Sequence, residues 1–249
     1  MSLHGCVDTF SGKIVWLKVW TGNHDPDLIE MFYLKALKEN DLFPYATRSD
    51  YGTETLGIYK TQHALHAIYE TGVEHPHQYV KSTSNTKIES LWHRYLTEFG
   101  RTIMAHLEHA FNNGIYAMNN CLEEFIYMYL WIPFMQVELD NYVKRCDNQK
   151  RQKSKINLLP TCAPLFAYNN PSEFGAMNCG YSDPKLMDLV DVRLSSLCLN
   201  RDLTHLFPNR FKESADYVYS MFLGSPVIEL QTIDTIYADM LKCFIVMSN

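Results

Sequence analysis

The pattern of apolar and polar positions near the start of the chain predicts a strand followed by a helix. The segment "KIVWLKVW", Lys13 to Trp20, is rich in β-branched and aromatic residues, which favours a β-strand. In the next segment, "NHDPDLIEMFYLKALKEN", apolar residues recur at helical spacing and would form a buried face. Asp25 as N-cap and Pro26 at the first helical position mark the beginning of this helix, which we expect to end at Asn40.

A second strand and a second helix follow. "LFPYATRSDYGTE" predicts a short strand at about Tyr45 to Ser49, which leads into a turn that contains glycine. The order strand, helix, strand indicates a βαβ unit and therefore an α/β fold. "TLGIYKTQHALHAIYETG" predicts a helix that ends at Gly72, and a brief extended piece is expected around Gln78 to Lys81.

The rest of the chain is predominantly helical in pattern. A long helix is expected from about Asn85, with a bend at Gly100, and another from about Asn119 to Cys146. The latter contains "FIYMYLWIPFMQV", a run shorter than the roughly 20 apolar residues that span a bilayer, so we interpret it as a buried helix. Residues 158–182 have the composition of a linker, and residues 183–249 contain short helical patterns.

Composition and charge exclude several classes of protein. The hydrophobic fraction of 47% and charged fraction of 20% are ordinary for a globular chain, and a net charge of −6 argues against a broadly basic coat. Seven scattered cysteines without a CxxC pair, and no apparent signal peptide, favour a reduced intracellular protein. One basic concentration, "KRCDNQKRQKSK", is either a solvated linker or a phosphate-binding segment, with Lys150, Arg151 and Lys153 as its candidate contacts.

Three acidic residues are candidates for chemistry, namely Asp8, Asp50 and Glu89. Asp50 ends a predicted strand, which suits the rule that sites in α/β folds lie beyond the carboxyl ends of strands. Glu89 lies in the first turn of a predicted helix. Two or three carboxylates brought together can hold a pair of Mg²⁺ ions for phosphoryl transfer. An acid at a strand end or in a first helical turn also serves for capping, so both interpretations stay open.

Four blocks of sequence carry a resemblance to a known family. "HGCVDTFSGKIVWLKVW", "NHDPDLIEMFYLKAL", "RSDYGTE" and "STSNTKIESLWHRYL" together resemble the integrase core domain of retrovirus-like elements and related metazoan transposon-derived genes. The resemblance covers about residues 3 to 170. It implies an α/β, ribonuclease H-like fold with a mixed five-stranded sheet flanked by helices, here N-terminally truncated. Residues 1–170 would form the core-like domain, and residues 171–249 a helical C-terminal extension of unknown role.

The resemblance also implies an activity and its site residues. The family joins DNA ends to target DNA with two aspartates and a glutamate that bind Mg²⁺ or Mn²⁺. By position, Asp50 matches the second aspartate and Glu89 the glutamate, whereas Asp8 matches an acid of the second strand and is a poor substitute for the first aspartate. DNA contacts are implied for four residues around Glu89, namely Asn85, Lys87, His93 and Arg94.

Two functions follow from the resemblance as expectations. One is DNA integration by metal-dependent phosphoryl transfer, impaired because the first aspartate has no match. The alternative is a non-catalytic, domesticated remnant that binds DNA or a protein partner. Either would be an intracellular, nuclear protein without a membrane segment, with DNA as partner and with homo-oligomer formation left open.

Overall fold

The computed structural model describes residues 1–152, 159–200, 203 and 206–247. The chain divides into two compact units, one of residues 2–90 with 139–204 and one of residue 1, 91–138 and 205–249. The first is called the N-terminal unit and the second the helical unit. This grouping by compactness differs from the expected division at residue 170, which stays a prediction.

The N-terminal unit begins with an antiparallel hairpin. Strand β1, Ser2–Val7, pairs with β2, Ile14–Trp20, and a bulge shifts the register between Cys6 and Val7. The strand predicted from the apolar pattern is therefore confirmed. In the turn between the strands, Gly12 has a φ of +67°, a left-handed conformation that glycine adopts without steric cost.

Helix α1, Pro26–Asn40, follows the hairpin with the predicted boundaries. The Asp25 carboxylate accepts a hydrogen bond from the Asp27 backbone N–H at 3.1 Å, and Pro26 occupies the first helical turn. Ile29 and Leu34 are fully buried, which makes α1 the centre of the hydrophobic core of this unit. The predicted N-cap and the predicted buried face are both confirmed.

The remaining strands are short and form two further sheets. Strands β3, Phe43–Pro44, and β6, Gly180–Tyr181, are antiparallel, while β4, Thr47–Ser49, and β5, His77–Tyr79, are parallel. Helix α2, Leu56–Ile68, connects β4 to the parallel strand β5 and forms a βαβ unit. The predicted unit was a different one, made of β2, α1 and β4, and in the described residues β2 pairs with β1 rather than with β4. In the described residues the six strands thus form three two-stranded sheets rather than the single mixed sheet that was expected. The strands of the β3–β6 and β4–β5 pairs have only two or three residues each, at or below the lower end of the usual range of strand lengths.

Two further helices of this unit lie in the second half of the sequence. Helix α6, Pro164–Asn169, and strand β6 fall within residues 158–182, so the expectation of an extended tail or linker there is wrong for the described residues. Helix α7, Pro184–Asn200, packs against α1. The buried Glu30 carboxylate, only 1% exposed, accepts two hydrogen bonds from the Arg193 guanidinium, at 2.7 and 2.8 Å. This paired contact ties α7 to the core.

The helical unit contains the most apolar run of the chain. Helix α3, Thr86–Tyr95, enters the unit at Leu91 and is followed by a π-helical turn, Leu96–Gly100, and by α4, Arg101–Asn112. The bend expected at Gly100 stays a prediction, although the helical pattern does change there. The other helices that contribute to the unit are α5, Cys121–Asn148, α8, Asn209–Tyr217, and α9, Ile233–Met247. Within α5, Leu130 and Trp131 are fully buried, as predicted. Among the described helices, none combines the length and the hydropathy that a membrane crossing requires.

A buried polar cluster holds the helical unit together. The Trp131 indole N–H donates to the Tyr116 hydroxyl at 2.9 Å, and that hydroxyl donates to the Asp234 carboxylate of α9. His106 Nε2 lies 3.1 Å from the same carboxylate. Burial, followed by the hydrogen bond to Asp234, raises the pKa of Tyr116 far above its usual value, so the phenol stays protonated and able to donate.

Candidate functional site

Asp50 lies directly beyond the carboxyl end of β4, beside the parallel strand β5. Its side chain is exposed. The residue before it, Ser49, is buried, and its hydroxyl lies 2.9 Å from the Asp50 carbonyl oxygen and 3.0 Å from the Thr55 hydroxyl. Because Ser49 is held in this way, the backbone that carries Asp50 has a defined position at the end of the strand pair.

A buried histidine bridges the two strands next to Asp50. His77 Nδ1 lies 2.8 Å from the Thr47 hydroxyl, and its Nε2 lies 3.1 Å from the Ser49 hydroxyl. Burial, with a smaller contribution from His63, lowers the pKa of His77 to about 4. The ring is therefore neutral at physiological pH, and its single donor and single acceptor match the two hydroxyl groups. His77 positions the strand end on which Asp50 lies.

An open pocket of about 530 Å³ adjoins Asp50. Its lining consists of Asp50, Tyr51, Gly52, Lys81 and Thr83, so it combines a carboxylate, an amine, a hydroxyl and an aromatic ring. Tyr51, Lys81 and Thr83 were not recognised from the sequence as site residues. The sequence positions of two of them could have indicated the site. Tyr51 comes just after the predicted strand that ends before Asp50, and Lys81 ends the extended piece predicted around residues 78–81.

The tyrosine of this pocket belongs to a stack of aromatic rings. Tyr51 stacks on Tyr79 with ring centroids 5.8 Å apart and planes inclined by 16°. Tyr79 in turn stacks on Tyr59 at 5.7 Å and 23°. Tyr51 is 72% exposed, although the rings beneath it are partly buried. The stack therefore ends in an aromatic surface that faces solvent beside Asp50.

Glu89 lies in the first turn of α3, as predicted, and its side chain is exposed. The Glu89 backbone N–H donates to the Asn85 carbonyl at 3.3 Å, which places Asn85 at the beginning of the helix. Lys87 lies between them and is partly buried. Glu89 is not among the described residues that line the pocket beside Asp50. His93 and Arg94 lie in the last turn of the same helix.

Asp8 has a structural role in the hairpin turn. One of its carboxylate oxygens, Oδ2, accepts hydrogen bonds from the Ser11 backbone N–H and the Ser11 hydroxyl, both at 2.6 Å. Among the residues that the structure describes, no three His, Cys, Asp or Glu side chains are grouped so that they could hold a metal ion. The metal-binding roles expected for Asp50 and Glu89 stay predictions.

The basic segment has a structural role that the sequence did not reveal. The Arg151 guanidinium donates to the backbone carbonyls of Ser11 and Gly12 in the hairpin turn, the latter at 2.9 Å. Nearby, the buried Asp147 carboxylate accepts a hydrogen bond from the Ile14 N–H at 3.0 Å. The segment thus anchors the hairpin. Of the other predicted DNA contacts, Lys150 is exposed, and Lys153 lies outside the described residues.

A second histidine lies near Asp50, on strand β1. His4 stacks on Trp16, and the Trp16 indole N–H donates to His4 Nδ1 at 3.0 Å. Burial lowers the pKa of His4 to about 4, and the negative charge of Asp50 partly opposes this shift. The hairpin therefore contributes a neutral imidazole to the surroundings of the Asp50 carboxylate.

Comparison with protein families identifies the chain. A family model described as "Integrase core domain" matches residues 1–163 of the 249 residues. The chain therefore belongs to the integrase core domain family, as the four blocks of sequence indicated. Comparisons with curated proteins and with solved structures gave no match.

Proposed function

We propose that this chain is an integrase-like protein, derived from a mobile element, that binds DNA and has impaired strand-transfer activity. We propose a ribonuclease H-like fold for the N-terminal unit. The family match and the order of hairpin, helix and parallel strand pair support it, although the strands form three two-stranded sheets in the described residues. The observation that carries the proposal is the position of Asp50 at the end of β4, in a pocket shared with Lys81, within a chain that matches the family. We expect a nuclear location, because DNA is the partner.

The surroundings of Asp8, Asp50 and Glu89 support the proposal that strand transfer is impaired. Asp50 and Glu89 are exposed and available, whereas Asp8 serves the hairpin turn through two hydrogen bonds. A two-metal mechanism uses carboxylates as a shared clamp on the attacking and leaving oxygens. With Asp50 and Glu89 as the proposed metal ligands and no residue that matches the first aspartate, the proposed site would lose part of that clamp, whereas DNA binding would be kept.

The test separates DNA binding from DNA cleavage. The whole chain is incubated with supercoiled plasmid and with a labelled duplex, in Mg²⁺ and separately in Mn²⁺. The expected result is duplex binding that is unchanged in Asp50→Asn and Glu89→Gln, with little nicking or strand transfer in either metal. Efficient metal-dependent nicking that disappears in both variants would overturn the impairment and show an active integrase. Absence of binding to any DNA would overturn the proposal and leave a protein partner as the alternative.

The basic segment needs its own variants, because Arg151 also anchors the hairpin. Replacing Lys150 and Lys153 with alanine removes two charges without touching that anchor. If both lysines contact phosphates, affinity for duplex DNA falls, and the dependence of log K on log salt becomes shallower by about two units. The matched control is Lys35→Ala with Lys60→Ala, two lysines outside the segment, which should leave the salt dependence unchanged. Equal salt dependence in the two double variants would remove the segment from the DNA surface.

A further inference from the structure

We propose that Tyr51 is a stacking platform for an unpaired nucleobase, so that the pocket beside Asp50 binds single-stranded DNA or a frayed DNA end. This inference rests on the proposed function, since it takes DNA as the partner. It names the form of DNA and the residue that recognises it. The observations that carry it are the exposure of Tyr51, the rings that support it and the polar groups of the pocket.

The geometry suits a flat ligand. An exposed aromatic face binds a base by stacking, whatever the base, because every nucleobase presents a π-surface. A single flexible tyrosine would lose rotational freedom on binding. Tyr51 already stacks on Tyr79, and Tyr79 on Tyr59, in two nearly parallel steps of 16° and 23°. The supporting rings hold Tyr51 in one orientation before a base binds, so less conformational entropy is lost on binding.

The foundation of the stack is buried. His77 lies edge-on to Tyr79 at 4.8 Å and to Tyr59 at 5.8 Å, and it is only 6% exposed. His77 also bridges the hydroxyls of Thr47 and Ser49 across the two strands. The exposed ring of Tyr51 is therefore connected through packed side chains to the strand pair that carries Asp50.

The charges of the pocket indicate how a nucleotide would lie. Lys81 is exposed and can contact a backbone phosphate, and the Thr83 hydroxyl can donate a hydrogen bond to the same group. Asp50 repels phosphate, so the uncharged base, rather than the phosphate, is the part that fits next to it. Bases inside a duplex already stack on their neighbours, and only an unpaired base can present its face to Tyr51.

The test compares single-stranded and duplex DNA by fluorescence anisotropy with the whole chain. The probes are a labelled oligothymidylate of about 12 nucleotides and a fully paired duplex of the same length, since single-strand sites span about 4 to 16 nucleotides. Tyr51→Ala is expected to weaken binding of the single strand about 5- to 150-fold, the range found when a stacking aromatic is removed. Binding of the duplex should change less than about twofold, because paired bases do not reach the platform.

Two control variants separate stacking from other effects. Tyr51→Phe keeps the ring and should bind the single strand as the original chain does. Tyr217→Ala removes another tyrosine, 51% exposed, from the helical unit and should have no effect. Because Tyr51 is 72% exposed, its replacement leaves the core intact, which circular dichroism can verify.

The outcomes distinguish this inference from the proposed function. Equal single-strand affinity in Tyr51→Ala and the original chain would overturn the platform while leaving DNA binding in place. Binding of duplex but not of single strand would do the same. Failure to bind either probe would overturn both. Photocrosslinking of an oligonucleotide with 5-iododeoxyuridine, mapped to Tyr51 by mass spectrometry, is the positive result expected independently of affinity.

Discussion

Replacing Arg193 with methionine should destabilise the N-terminal unit, because it leaves a buried carboxylate without its cation. Glu30 is 1% exposed, and its two oxygens accept hydrogen bonds from the Arg193 Nε and Nη2 groups at 2.7 and 2.8 Å. The Thr61 hydroxyl donates a third, at 2.5 Å. The hydrogen bond to Glu30 also raises the pKa of Arg193, so the guanidinium remains charged under all ordinary conditions.

The expected magnitude follows from the exposure of the two partners. Removing one partner of a buried ion pair costs about 3–5 kcal/mol, since the other charge remains desolvated. Here the Arg193 side chain is 43% exposed, so water can replace part of the guanidinium, and Thr61 keeps its hydrogen bond. We therefore expect a loss of about 2–3 kcal/mol.

The matched control breaks a second ion pair between the same two helices. Lys38 of α1 pairs with Asp191 of α7, and these side chains are 43% and 52% exposed. Lys38→Met should cost less than about 0.5 kcal/mol, because exposed pairs contribute little. The double variant Glu30→Met with Arg193→Met removes both charges and should recover part of the loss of the single variant.

The assay combines urea denaturation with hydrogen exchange. Because the chain has two compact units, its unfolding need not be a single transition, and exchange shows where stability is lost. Arg193→Met should accelerate exchange in peptides of α1 and α7. Equal effects of Arg193→Met and Lys38→Met, or faster exchange confined to the helical unit, would show that the buried pair does not stabilise the N-terminal unit more than the exposed pair does.

Three further predictions concern single residues. In urea denaturation, Gly12→Ala should lower the free energy of unfolding by about 1–2 kcal/mol more than Gly72→Ala does. Both glycines have positive φ, but of the two only Gly12 would place its Cβ against the Arg151 guanidinium. Equal losses would contradict this. The free energy of unfolding should fall as the pH drops from 6.5 towards about 4, because His77 binds a proton in the unfolded chain while the buried ring stays neutral in the folded one. A His77→Gln variant should show a shallower fall, and an identical curve would contradict this. Tyr116→Phe should lower the free energy of unfolding of the helical unit by about 1–3 kcal/mol, because it removes the acceptor of the buried Trp131 N–H. An unchanged free energy would show that this hydrogen bond does not stabilise the unit.

The features that local patterns determine were predicted closely. The Asp25 cap, the Pro26 start and the end at Asn40 follow from short-range chemistry, and α1 has these boundaries. The placement of Asp50 at a strand end likewise followed from an apolar run that stops before a turn. These are properties of a few consecutive residues, so one sequence is enough to reveal them.

The features that were missed depend on residues far apart in the chain. Phe43 pairs with Tyr181, and Glu30 with Arg193, through contacts that no local pattern specifies. The same holds for the contact of the Arg151 guanidinium with the hairpin turn, which no local pattern specifies. The phosphate contact expected of Arg151 stays a prediction.

The central claim, that this integrase-family chain binds DNA, is tested most directly by a salt titration of duplex binding. Anisotropy of a labelled duplex of about 30 base pairs is measured with the whole chain at salt concentrations from about 50 to 200 mM. We expect measurable binding whose log K falls linearly with log salt, because counterions are released from the phosphates. No binding at the lowest salt, or an affinity independent of salt, would contradict it.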